Sequence, residues 1–96
     1  MPRDVDDGFF ERADAHINLS NDQLSAATLG KVSASMLYGA SRFNAWVSAC
    51  GFNNGADMEA KKQETLKYFV GEYAKMFEEN LDDYIANFDK YMKATH

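Results

Sequence analysis

KVSASMLYGASRFNAWVSAC, residues 31–50, is the stretch whose reading decides the fold. Its twenty residues carry two charges, Lys31 and Arg42, and the rest are apolar, small or mildly polar. Val32, Met36, Ala40, Phe43, Val47 and Cys50 recur at steps of three and four, the spacing of one helical face. Leu37, Tyr38 and Trp46 widen that face beyond the stripe of a surface helix. Ser33, Ala34, Ser41, Ala45 and Ser48 cover the other side, where small side chains allow a second helix to come close. The stretch therefore reads as a central helix covered by neighbours. Its length would suit a membrane span, but Arg42, Asn44 and the four serines make insertion unfavourable. If Arg42 is partly buried it needs a carboxylate, with Asp14 and Glu72 as candidates, which makes it a possible structural ion pair.

Ninety-six residues with 46% hydrophobic content fit one domain spanning 1–96. The single proline stands at position 2, and the composition favours helices over a turn-rich β fold. A net charge of -5 argues against nucleic acid, which demands a basic face. The one cysteine, Cys50, excludes an intrachain disulfide and suits a reducing cytoplasm. The N-terminal MPRDVDDGFF is acidic and has no apolar core, so it does not read as a secretory signal.

Taken in order, residues 1–5 are expected to be frayed. Asp6 is placed to cap a first helix, with Asp7 and Glu11 at the positive end of its dipole. Phe10, Ala13, Ile17, Leu24 and Ala27 carry its apolar stripe to about Thr28. Ser20-Asn21-Asp22-Gln23 has the form of a capping box, and Leu19 with Leu24 forms the matching staple. The stripe keeps its phase through Ser20, so one continuous helix is expected. Gly30 is read as its stop. Gly51 is read as a left-handed stop of the central helix, setting Phe52 against Val47. Asn53 or Asn54 then caps the next helix, with Asp57 in its first turn.

The third helix is expected from about Ala56 to Lys93. Leu66, Val70, Tyr73, Phe77, Leu81, Tyr84, Phe88 and Met92 form its stripe. Leu66, Phe77 and Phe88 stand eleven apart, as do Val70, Leu81 and Met92, so the stripe runs straight. The fold class is thus all-α: a three-helix antiparallel bundle with a long C-terminal helix. A break near Asn80, giving four helices, is the alternative.

Three blocks, FFERADAHINLSNDQ, KVSASMLYGASRFNAWVSACGF and EENLDDYIANFDKYM, with the spacing between them, are together similar to a family of small bacterial proteins known as a domain of unknown function. The resemblance runs from about Phe9 to Met92. It implies a bacterial, proteobacterial, cytoplasmic helical protein. It carries over no catalytic residue, cofactor or partner.

Candidate chemistry is sparse. His16 lacks the Glu-x-x-His companion of helical metal sites, since Ala13 and Arg12 precede it; no metal ligand is assigned. Cys50 sits where the dipole disfavours a thiolate and no base is signalled, so it reads as a structural thiol. Glu78, Glu79, Asp82 and Asp83 form two like-charged i, i+4 pairs without the loop of a calcium site. Tyr68, Tyr73, Tyr84, Tyr91, Phe69 and Trp46 read more readily as core or interface than as a ligand pocket. No catalytic residue and no cofactor is expected, and no nucleophile–base–orienter set can be named.

The expected function is therefore that of a non-enzymatic helical protein acting through protein contacts and self-association. The alternative is a small-molecule- or metal-binding helical protein. The third helix carries Lys61, Lys62 and Lys67 early and its acids late, the wrong order for its own dipole. Two copies packed antiparallel would set Lys62 opposite Asp83 and Lys67 opposite Glu78, crossing near Gly71 and Glu72. The expected homodimer interface comprises Lys62, Lys67, Val70, Gly71, Tyr73, Phe77, Glu78, Asp83, Tyr84, Phe88 and Tyr91. A further protein partner is expected, and neither nucleic acid nor a membrane.

Overall fold

The computed structural model describes residues 5–93, and among them every element is helical. The expected frayed segment 1–5 lies outside the described residues except for Val5. The chain divides into two compact units, with the boundary in the sequence between Met58 and Glu59.

The N-terminal unit is a helical hairpin. Helix α1 spans Phe9–Gln23 and helix α2 spans Leu29–Ala49. Gly8, not Asp6, occupies the cap position of α1, without a side-chain cap bond. Asp6 serves the start at one remove. Its carboxylate accepts the Gly8 N–H at 3.3 Å, and its carbonyl accepts the Phe9 N–H at 3.1 Å. Arg12 then closes over the same carboxylate, donating to Oδ1 at 2.7 Å and Oδ2 at 3.2 Å.

Helix α1 runs through Ser20 without a break, as the unbroken stripe predicts. The Ser20 hydroxyl donates to Met36 Sδ at 3.2 Å, tying α1 to α2 in place of capping a new helix. The helix stops at Gln23, earlier than the expected Thr28. Leu24 and Ala26 donate backward to Asn21 and Gln23 in tight turns, and Ser25 Oγ donates to the Asp22 carbonyl at 3.0 Å. The reason is Thr28. Its extended backbone (φ -73°, ψ 162°) and its hydroxyl, which accepts the Lys31 N–H at 3.4 Å, make it the cap of α2. Gly30 consequently lies in the first turn of α2 and does not end α1. Val32, at 6% exposure, is the one buried side chain among the described residues.

Two of the four serines of α2 are satisfied locally. Ser41 Oγ donates to the Tyr38 carbonyl at 2.8 Å, and Ser48 Oγ to the Asn44 carbonyl at 2.9 Å. Such back-bonding lets a polar face sit on a helix without an outside partner. The end of α2 corrects the expectation for Gly51, because no described glycine has positive φ. The helix tightens instead: Gly51 donates to Ser48 O and Phe52 to Ala49 O, each at 3.1 Å. Three-residue bonds of this kind satisfy terminal carbonyls without a left-handed residue.

A short helix α3 spans Gly55–Ala60, and helix α4 spans Lys62–Ala86. Asn54 caps α3: its Oδ1 accepts the Asp57 N–H at 2.8 Å, and its Nδ2 donates back to the Asp57 carboxylate at 3.2 Å. The expected helix from Ala56 to Lys93 is thus divided. Lys61 leaves the helical well (φ -106°, ψ 6°), and α4 starts afresh as Thr65 donates to the Lys61 carbonyl at 3.0 Å. No break occurs at Asn80, whose side chain donates to the Met76 carbonyl at 2.9 Å within the running helix. The stop lies at Asn87 (φ -116°, ψ 28°), beyond which Asp89–Lys93 form a π-helical turn. Twenty-five residues give α4 a length of about 37 Å, well short of the full expected span.

The candidate interaction surface on α4

At about 100° per residue, Leu66, Val70, Tyr73, Phe77, Leu81 and Tyr84 fall on one face of α4. Their exposures lie between 47% and 59%. In proteins most helical stability comes from covering the apolar face rather than from propensity. The face is therefore the feature of this unit most in need of a partner surface.

The charges flank it unevenly. Lys67 and Glu78 stand on the same border of the stripe, separated by about 20° of arc. Neither makes an ion pair among the described residues. Lys62 lies on the opposite border. Asp83 lies about 60° further round from Lys62, and its carboxylate is engaged at the helix end. It accepts Asn87 Nδ2 at 2.9 Å and the Tyr91 hydroxyl at 3.1 Å. The four acids Glu78, Glu79, Asp82 and Asp83 spread over more than a third of the circumference and do not converge. Lys61 pairs locally with Glu64 at 3.7 Å, and Lys75 with Glu72 at 3.6 Å.

The turn at Asn87 removes Phe88, Tyr91 and Met92 from the straight run of the stripe, so the eleven-residue spacing is interrupted there. Tyr91 turns back along α4, its ring 4.8 Å from that of Tyr84. The bond to Asp83, first among the causes, raises the Tyr91 pKa above its ordinary value. At the other end of the chain, the Arg12 hydrogen bond holds Asp6 below the usual carboxylate range and raises Arg12 in turn. Sequence reading misses both clusters. The signal available for the first is the Asp83-Asn87-Tyr91 spacing of four and four, which stacks polar groups along one row.

The remaining candidates are not brought together. Arg42 is exposed on α2, and no carboxylate of its own unit pairs with it among the described residues. His16 and Cys50 are exposed, and no group of three or more His, Cys, Asp or Glu converges as metal ligands among the described residues. The aromatic side chains meet along their own helices: Tyr68 with Phe69 at 5.2 Å, Tyr73 with Phe77 at 5.5 Å, and Phe43 with Trp46 at 5.7 Å. Two shallow grooves exist, one over residues 85–90 and one between α1 and α2 around Ala27, Lys31 and Val32. No helix of the described residues is long and apolar enough to cross a membrane.

Comparison with known proteins gives a consistent picture. The NMR structure of the protein NB7890A from Shewanella sp. is 38% identical to this chain, with a TM-score of 0.75. The match covers 98% of this chain and 99% of that one. None of the curated proteins is similar to the chain at a significant level. Residues 9–85 match the model of a family described as a protein of unknown function, DUF3144. With a shared helical architecture, near-complete coverage and that family match, the chain belongs to the DUF3144 family.

Proposed function

We propose that this is a non-enzymatic helical protein that works through protein–protein contacts, among them contacts with its own copies. The observation that carries the reading is the half-exposed apolar face of α4, continuous from Leu66 to Tyr84. Contiguous exposed apolar surface of this kind marks interaction sites on soluble proteins. The apolar seam supplies affinity, and the flanking charges set orientation. The same reading puts the protein in the bacterial cytoplasm, a reducing compartment that suits a lone cysteine.

Sedimentation equilibrium of the purified protein at micromolar concentration tests it. The reading expects a reversible species of twice 10.8 kDa or more, shifting with concentration. A single 10.8 kDa species throughout the micromolar range would contradict self-association.

A further inference from the structure

The border of the α4 stripe carries a row of four residues, Lys67, Gly71, Ala74 and Glu78, at steps of four, three and four. We infer that this row is a self-complementary recognition element, and that its partner is the same row on a second copy of the chain, run antiparallel. The inference rests on the self-association reading above and specifies its geometry.

In an antiparallel pair with two-fold symmetry, residues at one height have numbers that sum to a constant. Lys67 with Glu78 gives 145, and so does Gly71 with Ala74. One register therefore sets cation opposite anion at both ends of the row, with Gly71 and Ala74 at matching heights between them. The antiparallel arrangement also places like borders of the two helices against each other. Lys67 and Glu78 occupy the same border, as this requires. Both are without an ion-pair partner among the described residues.

The apolar stripe falls into the same register. Val70 with Phe77 and Leu66 with Leu81 each sum to 147. That is an axial offset of about 3 Å from the charge pairs, the stagger expected between the centre and border of a helix pair. Six stripe residues at about half exposure offer roughly 600 Å² per copy, taking about 200 Å² for a large apolar residue. Two copies reach about 1,200 Å², the lower end of specific interfaces. Lys62 and Asp83 are not part of the seam. Lys62 lies on the opposite border, and the Asp83 carboxylate is already held by Asn87 and Tyr91.

Charge reversal in the full chain tests the row. In K67E homodimers the introduced carboxylate faces the native Glu78 at both ends, and in E78K homodimers the introduced ammonium faces the native Lys67. Each single variant is expected to dimerise on the order of tenfold more weakly than the parent, as two exposed attractions become repulsions. The double variant K67E/E78K, and an equimolar mixture of the two single variants, are expected to restore parental affinity. Far-UV circular dichroism checks that each variant is folded. Single variants that dimerise like the parent, or a mixture that restores nothing, would overturn the row while leaving self-association standing. A parent chain that stays monomeric would overturn both. Single variants weakened and rescued by mixing would establish the pairing, because a parallel helix pair predicts no loss in either single variant.

Discussion

Replacing Gly51 by alanine separates two accounts of how α2 ends. A left-handed glycine stop predicts a cost of about 1 kcal/mol for this change. The structure predicts the opposite sign. Gly51 is outside the positive-φ region, and the new methyl would meet only the Ser48 carbonyl at 3.5 Å, an ordinary contact. The native conformation is thus open to alanine. The gain comes from the unfolded chain, which loses freedom when glycine is replaced, and amounts to about 0.4–1 kcal/mol. For a chain of this size that corresponds to a rise in Tm of roughly 2–6 °C. Gly39→Ala, in the middle of α2 with nothing within 4 Å, is the internal standard and is expected to gain about 1 kcal/mol. Both are read from urea melts at one fixed protein concentration, because association would otherwise shift the midpoint. A loss near 1 kcal/mol at Gly51 with a gain at Gly39 would refute the account of the α2 terminus.

Asn54→Ala removes the acceptor for the Asp57 N–H at 2.8 Å and is expected to cost about 1 kcal/mol, with Asn54→Ser recovering most of it; amide exchange over residues 55–60 reads the effect, and unchanged protection would count against the cap. Tyr91 has its folded-state pKa raised by Asp83, so the contact is fully present below the ordinary tyrosine value of 10.0 and is lost as pH rises through the higher folded value. Asp83→Asn is accordingly expected to bring the Tyr91 titration, followed by NMR, down toward 10.0, and an unmoved midpoint would reject the pairing.

The all-helical class is legible because the period of the apolar residues is strong along Phe10–Ile17, Val32–Val47 and Leu66–Tyr84. Asn54 is legible too, as a short polar residue followed three positions later by an acid. The ends of the elements are not. Residue type alone makes stops of Gly30 and Gly51, whereas Thr28 sets one boundary by its extended backbone and the carbonyls of Ser48 and Ala49 close the other. Backbone bonds at a terminus leave no residue-type signature. The divisions at Lys61 and Asn87 are hidden for a related reason. The apolar period passes through Asn87, Lys61 stands before the stripe begins at Leu66, and at both the change lies in φ and ψ alone. On α4 the charge order is visible in the sequence, but its meaning depends on angle around the helix. That angle sets Lys67 and Glu78 on one border and removes Asp83 from it.

A distance between two copies of α4 tests the central claim most directly. With the exposed Cys50 changed to serine and a single cysteine introduced in place of Lys62, one nitroxide per chain reports the geometry by pulsed dipolar spectroscopy. Antiparallel helices in the 145 register hold the two labels about 30 Å apart along the axis. Labels separated by little more than the interaxial spacing of about 10 Å, or labels with no dipolar coupling at a concentration where the parent is expected to be dimeric, would contradict it.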